Sequence, residues 1–271
     1  KAFRKDYRSS VRWMRTLMGE GLLYRLYRRR ILKEIQALAK PQHVAMILDG
    51  NRRWAKARAL QSSAHGHRAG ADKIHEFLSW CEEQGISVVT LYLLSTDNLT
   101  TRGTHELDDL AEIIENLADQ LSRLANWKVK HVGQAAALPV HLRQTLEAAS
   151  ERTAQNSGLH INLAVGYGGR AEISDAVSRM VAKHQAQGGT LEDLADVISV
   201  PEIAKHLYTV GQPDPDVVIR TSGEQRLSDF MLWQSAHSEF YFVEALGPDL
   251  REIDFLRALR DFGRRQRRYG S

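Results

Sequence analysis

Two stretches of the chain concentrate residues able to handle a phosphorylated ligand. The first, Asp49-Gly50-Asn51-Arg52-Arg53-Trp54, follows an apolar run, His43–Leu48. An Asp at the carboxyl end of a strand can hold a hard cation such as Mg²⁺. Gly50 permits a sharp turn that brings backbone N–H groups against a ligand. A helix beginning here offers free N–H groups and the positive end of its dipole, which suits a phosphate. Arg53 adds a charge-assisted donor. The plainer alternative is an Asp-Gly turn with a helix cap. The second stretch is Arg220-Thr221-Ser222-Gly223-Glu224-Gln225-Arg226-Leu227-Ser228. Arg220 and Arg226 can clamp a diphosphate together with the Ser228 hydroxyl. Glu224 between them can orient the arginines, and a solvated polar turn is the alternative.

Weaker signals accompany these. Ser95-Thr96-Asp97-Asn98 ends a second apolar run, with Arg102 and Glu106 behind it. Its polar groups are available to a ligand, or they cap the next helix. His67, within Gly66-His67-Arg68-Ala69-Gly70, is a phosphate donor or a structural histidine. Glu239 opens the last apolar run and is expected to meet Asp49 across the sheet end as a carboxylate pair around Mg²⁺; the alternative is a surface Glu. No Gly-x-x-x-x-Gly-Lys-Ser/Thr loop occurs. Gly166-Tyr167-Gly168-Gly169 follows a strand-like run without matching the dinucleotide fingerprint.

The elements that must position these loops are legible from periodicity. Six apolar runs, His43–Leu48, Val88–Leu94, Lys128–Val132, His160–Val165, Val217–Arg220 and Phe240–Val243, alternate with amphipathic stretches. The stretches are 69–84, 106–124, 138–156, 170–187 and 191–198. Apolar strands with helices between them predict a single α/β domain built on a mainly parallel sheet flanked by helices. In such sheets the chemistry gathers at the carboxyl ends of the strands. The 271 residues carry a net charge of +4, with 43% apolar and 26% charged residues, which excludes a disordered chain and a fibrous rod. The single cysteine, Cys81, excludes an intrachain disulfide and a multi-Cys zinc site and fits a reducing, cytoplasmic compartment. No run is long and apolar enough for a membrane span, and no signal-peptide pattern opens the sequence.

The charge is uneven. Residues 1–40 hold 12 Lys/Arg against 3 Asp/Glu, whereas the other 231 hold 25 against 30. The basic character belongs to an N-terminal arm, 1–40, which ends at Pro41; the body is 41–271. Leu22, Leu23, Leu26 and Tyr27 give the arm a helical pattern among arginines. Such a helix suits an anionic membrane surface, or it packs on its own domain or a second copy. The net-acidic body and the absence of basic–aromatic interleaving argue against nucleic acid as a partner.

In combination these segments resemble the cis-prenyltransferase family, the Z-type isoprenyl diphosphate synthases that include undecaprenyl diphosphate synthase. The resemblance rests on His43–Ala55, Ser95–Asn98, Asn162–Arg170, Pro215–Gln234 and Arg267–Gly270, in the family's order. It implies a homodimer on a six-stranded sheet with a hydrophobic tunnel. It also implies Mg²⁺-dependent condensation of isopentenyl diphosphate onto an allylic diphosphate, making a Z double bond. By the same resemblance, Asp49 is the metal-linked carboxylate, and Gly50, Asn51, Arg52, Arg53 and Trp54 cradle the allylic diphosphate with His67 and Arg102. Arg220, Arg226 and Ser228 bind isopentenyl diphosphate, Glu239 supports the metal, and Gly270 reaches the partner's site. Asn51, Ser95 and Asn98 fall near the condensing carbons, with Asp49 and Asn98 as the catalytic pair.

The sequence departs from the family's pattern in places. Ser63 stands where many members have an Arg, with Arg58 as a nearby substitute. Asn98 and Arg102 are one residue further apart than usual, and Gly166 replaces an Asn. Leu93, two before Ser95, is bulky where long-chain members carry a small residue, so it is expected to shorten the tunnel. The Leu93-Leu94-Ser95-Thr96-Asp97-Asn98-Leu99 wording is similar to that of short-chain actinobacterial members that make Z,E-farnesyl diphosphate. A C15 product from geranyl diphosphate is the leading expectation. A long-chain undecaprenyl or decaprenyl synthase and a silent partner subunit are the alternatives. The expected location is cytoplasmic, with contact at the inner face of the membrane through the arm.

Overall fold

His43–Ile47 is buried at every position, the pattern of a strand covered on both faces. The computed structural model describes residues 21–124 and 126–265. The described chain begins with helix α1 (Leu22–Gln36), strand β1 (His43–Ile47) and helices α2 (Asn51–Ala57) and α3 (Ser63–Gln84). It continues through β2 (Val88–Ser95), α4 (Thr96–Thr101), α5 (Thr104–Arg123), β3 (Lys128–Val132), α6 (Val140–Arg152) and β4 (His160–Tyr167). It closes with α7 (Gly169–Ala186), α8 (Leu191–Val197), α9 (Val200–Ala204), β5 (Val217–Arg220), β6 (Glu239–Phe242) and α10 (Glu252–Arg264).

The strands form one six-stranded sheet in the order β3-β4-β2-β1-β5-β6. Every neighbouring pair is parallel, so the sheet is parallel throughout rather than mainly so. Strand alternation divides the core into two layers. Val44 and Met46 of β1 join Leu91, Ile161 and Ile219 on one face, beneath α1, α3, α5 and α10. Ala45 and Ile47 join Val218, Tyr167 and Phe230 on the other. Helix α5 supplies its layer through Leu110, Ile114, Leu117 and Leu121, at the three-to-four spacing of one helical face. Helix α10 lies beyond the expected alternation, which ends at the sixth strand; Ile253, Leu256 and Leu259 bury its inner face.

From Leu22 onward the basic arm is part of the body. Ile31 and Ile35 are buried, each contributing roughly 2 kcal/mol of apolar burial. Arg28 makes a two-point ion pair with Glu252 of α10, at 2.6 and 2.9 Å. Glu34 meets Arg264 at 2.7 Å, so α1 runs in the same direction as α10.

Strand β2 carries a bulge where Tyr92 and Leu94 face successive residues of β4, Ala164 and Val165. Leu93 is the extra residue. A bulge bends the strand and re-aims a side chain, and this one lies at the carboxyl end of the sheet.

At the opposite end a polar ladder crosses three strands. His43 Nε2 meets the Thr90 hydroxyl at 2.8 Å, and its Nδ1 meets the Pro213 carbonyl at 2.7 Å. Asn162 Nδ2 donates to the same hydroxyl at 2.9 Å. Burial pushes His43 down to about 4, against the raising effect of the Pro213 carbonyl. The folded protein therefore keeps this ring neutral where the unfolded chain, titrating near 6.5, already takes up a proton. Stability contributed by His43 is complete above about pH 6.5 and falls between there and pH 4, by about 3 kcal/mol in all. Urea unfolding at pH 7 and pH 4.5 is expected to separate wild type from His43→Gln. The variant has the flatter dependence, and equal slopes would remove His43 as the cause.

Candidate active site

The three central strands, β2, β1 and β5, deliver their following loops to one end of the sheet. These loops surround a cavity of about 800 Å³. Asp49, Gly50, Asn51, Arg52, Arg53, His67, Leu93, Ser95, Asn98, Arg102, Arg220, Arg226 and Ser228 all line it. The rim is cationic and polar, and Ile47, Leu48, Leu93, Leu94 and Leu110 supply an apolar wall.

Asp49 is held from several sides. Its Oδ1 accepts from Gly50 N at 2.6 Å, and its Oδ2 accepts from Arg220 Nη2 at 2.8 Å. The Thr221 hydroxyl accepts from Asp49 N and donates to Asp49 O, both at 2.8 Å. Burial raises the Asp49 carboxyl, but the Arg220 hydrogen bond, the Gly50 N–H and the nearby Arg220 and Arg53 charges outweigh it. The group sits below its usual range and is ionised at neutral pH. Gly50 has φ +95°, and a Cβ there would meet Leu246 Cδ2 at 2.8 Å. Only glycine suits both demands.

Helix α2 starts at this turn. Arg52 and Lys56, one turn apart, line the cavity. Arg53 reaches the Ser222 carbonyl at 3.4 Å and Glu224 at 3.5 Å. Trp54 points elsewhere: its Nε1 donates to Asp249 at 2.8 Å, and Arg58 stacks over its ring at 4.1 Å while pairing with Asp249 at 2.9 Å. Trp54 is therefore not brought to the cavity, and neither Arg58 nor Ser63 lines it. Helix α3 packs tightly on the start of α2, because a Cβ on Gly66 would collide with the Asn51 carbonyl oxygen. Gly66→Ala is expected to cost about 1–3 kcal/mol in urea unfolding, and unchanged stability would show that the two helices part freely.

The β2 loop joins from the other side. Ser95 caps α4, its Oγ accepting from Asn98 N at 3.0 Å, and still borders the cavity, so capping and availability coexist. Arg102 Nη1 donates to Glu106 at 2.9 Å, and His67 Nε2 lies 3.4 Å from the same carboxylate. Burial, then the Arg102 charge, lowers His67, which is neutral at pH 7. Arg102 directly follows α4 and lines the cavity.

Arg220 spans the site. Its side chain is 3% exposed. Beyond Asp49 it donates to Ser228 Oγ at 2.8 Å and to the Arg226 carbonyl. Arg226 itself pairs with Glu224. The loop is sharply folded: Ser222, Ser228, Asp229 and Met231 all have positive φ. Arg220 Nε, Arg102 Nε and Asn51 Oδ1 are buried without a protein partner. Arg52, Arg53, Lys56, Arg102, Arg220 and Arg226 line the cavity, and that concentration of cations suits an anionic ligand.

Glu239 requires a correction. It opens β6 and pairs with Val217, whereas Asp49 follows the far end of β1, so parallel strands separate them by about 16 Å along the sheet. Its carboxylate meets Arg265 instead. Within one chain the Asp49–Glu239 pair does not form. Gly270 lies outside the described residues. Lys56 was not expected at the site, and Thr221 and Asp97 stood in the expected loops without a role of their own; Lys56 follows Arg52 by four residues on one helix, and that spacing is its signal.

A family model described as "Putative undecaprenyl diphosphate synthase" matches residues 47–270. The chain belongs to the undecaprenyl diphosphate synthase family, the cis-prenyltransferases. Among relatives, it is 56% identical over 248 residues to a (2Z,6E)-farnesyl diphosphate synthase of Thermobifida fusca, covering 92% of this chain and 97% of that one. It is 54% identical over 250 residues to isoprenyl transferase 1 of Streptomyces avermitilis, covering 92% and 96%. The crystal structure of lavandulyl diphosphate synthase from Lavandula x intermedia, in complex with dimethylallyl diphosphate, superposes with a TM-score of 0.77 at 35% identity, over 84% of this chain and 97% of that one. The all-parallel sheet and the loops at its carboxyl end are thus those of a cis-prenyltransferase.

Proposed function

We propose that this cis-prenyltransferase condenses isopentenyl diphosphate with geranyl diphosphate to form a Z-configured C15 prenyl diphosphate. The observation that carries the reading is the cavity itself: arginines and a lysine at its rim and leucines along one wall. That combination suits a diphosphate head on a hydrocarbon tail. In the reaction the allylic carbon–oxygen bond breaks, the isopentenyl alkene forms the new carbon–carbon bond, and a proton leaves. Gly50 to Arg53, His67 and Arg102 hold the allylic diphosphate. Arg220, Arg226 and Ser228 hold isopentenyl diphosphate. Asn51, Ser95 and Asn98 stand near the reacting carbons. Fixing the alkene beside the allylic carbon lowers the entropic part of the barrier. Rim cations stabilise charge as it develops on the departing oxygen.

The residues fit Mg²⁺. Among the described residues no group of three or more His, Cys, Asp or Glu could hold a metal. One ionised carboxylate, Asp49, combined with diphosphate oxygens is the usual arrangement for this ion. When bound, Mg²⁺ neutralises charge on the leaving diphosphate.

The active unit in this reading is a homodimer. Strand β6 is an edge, and its Phe242 is 36% exposed. Two copies meeting edge to edge about a two-fold axis normal to the sheet run antiparallel there. That arrangement would bring Glu239 of the partner subunit toward the catalytic end. The outward face of α1 carries Leu22, Leu23 and Leu26, more than half exposed, among exposed Arg25, Arg29 and Lys33. It suits an anionic lipid surface at the inner face of the membrane. Among the described residues no helix is long and apolar enough to cross one. Salt-sensitive sedimentation with phosphatidylglycerol vesicles, absent with phosphatidylcholine, is the expected result.

The test is incorporation of radiolabelled isopentenyl diphosphate with Mg²⁺, offering dimethylallyl, geranyl and farnesyl diphosphates separately. A C15 product from geranyl diphosphate supports the reading. Products of C50 or longer favour a long-chain synthase. No incorporation by folded protein favours a silent partner subunit.

A further inference from the structure

Helix α7 begins without a cap of its own. Its N-cap residue is Gly168, which has no side chain to offer the first free N–H groups. Those groups are answered from a distant loop. Gly169 N donates to the Asp229 carbonyl at 2.7 Å, and Arg170 N donates to Asp229 Oδ1 at 3.1 Å. The approach is close: a Cβ on Gly168 would stand 2.7 Å from Asp229 Oδ2, and one on Gly169 would stand 3.0 Å from the Asp229 carbonyl oxygen. The Gly168-Gly169 pair therefore makes the space that Asp229 fills.

Asp229 directly follows Ser228, and both have left-handed backbone, at φ +62° and +50°. Two residues with Cβ atoms in that region do not hold it without external support. The support comes from three directions. Asp229 is tied to α7, the Tyr92 hydroxyl donates to the Ser228 carbonyl at 3.1 Å, and Arg220 donates to Ser228 Oγ at 2.8 Å. Tyr92 is itself fixed by stacking on Phe230 at 4.6 Å.

We propose that Asp229 is a positioning residue for the isopentenyl diphosphate half-site: by capping α7 from outside, it holds the Arg226–Ser228 segment in its binding conformation. The proposal rests on the assignment of Arg220, Arg226 and Ser228 to that substrate. Asp229 does not line the cavity, so it acts through its neighbours.

Two substitutions isolate the effect, because Gly and Asn both tolerate left-handed backbone. Asp229→Gly removes the side-chain acceptor, whereas Asp229→Asn keeps an oxygen for Arg170 N. Initial rates are measured with each substrate varied while the other saturates. Asp229→Gly is expected to raise the KM for isopentenyl diphosphate about tenfold, with the allylic KM within twofold of wild type. Asp229→Asn is expected to restore most of the isopentenyl KM. Three results overturn the proposal: an unchanged isopentenyl KM in Asp229→Gly, an equal rise in both KM values, or an Asn variant as impaired as the Gly variant. Wild-type kinetics test the assignment separately, since an inactive wild type would remove the assignment and not the cap.

Discussion

Asp49→Ala is expected to lower kcat by at least about a thousandfold while the protein remains folded. The side chain is the ionised group at the mouth of β1, and under the proposed function its charge would hold the Mg²⁺ that meets the diphosphate, which Arg220 cannot do. The fold survives because Arg220 keeps two other acceptors, Ser228 Oγ and the Arg226 carbonyl. The Asp49 side chain is also 37% exposed to the cavity, so water fills its place rather than leaving a dry void. Asp49→Asn, which preserves shape but not charge, is expected to be nearly as inactive. Circular dichroism melts with steady-state rates check both. Turnover near wild type in either variant would remove Asp49 from the chemistry.

Leu93→Ala is expected to lengthen the product beyond C15. The bulge sets Leu93 at the cavity, where under the proposed function it would stand against the growing hydrocarbon. Cutting the side chain back lengthens the apolar slot, and one further isoprene unit or more should fit. The neighbouring Leu94 supplies a contrast. It is 2% exposed and belongs to the core, so Leu94→Ala should mainly destabilise, by about 2–5 kcal/mol. Thin-layer separation of the dephosphorylated products reads the result. An unchanged C15 product would put the stop elsewhere on the wall, with Leu48 and Leu110 next in line.

The strands were legible because parallel strands are nearly continuous apolar runs, and their ends fell within two residues of expectation. The residues following β1, β2 and β5 were legible for the same reason, since a polar group after such a run has the carboxyl end of the sheet as its surroundings. Glu239 broke that rule. It precedes its run, and strand direction alone sets it at the other end from Asp49. Trp54 failed on helical geometry: two residues from Arg52 is more than half a turn round α2, so both do not face one cavity. Lys56, a full turn on, does. Thr221 was hidden because its task is to grip the Asp49 peptide across two strands, and no local pattern encodes a partner 172 residues away.

Arg220 is shared property. Under the proposed assignment, one guanidinium touches the acid of the allylic half-site and the hydroxyl of the isopentenyl half-site, so neither substrate would meet a surface indifferent to its co-substrate. Any coupling carried by that shared group is reciprocal: the factor by which bound allylic substrate alters isopentenyl affinity equals the factor in the reverse direction. In that assignment a buried arginine that serves as a strut in the resting enzyme is also the physical link between two binding equilibria.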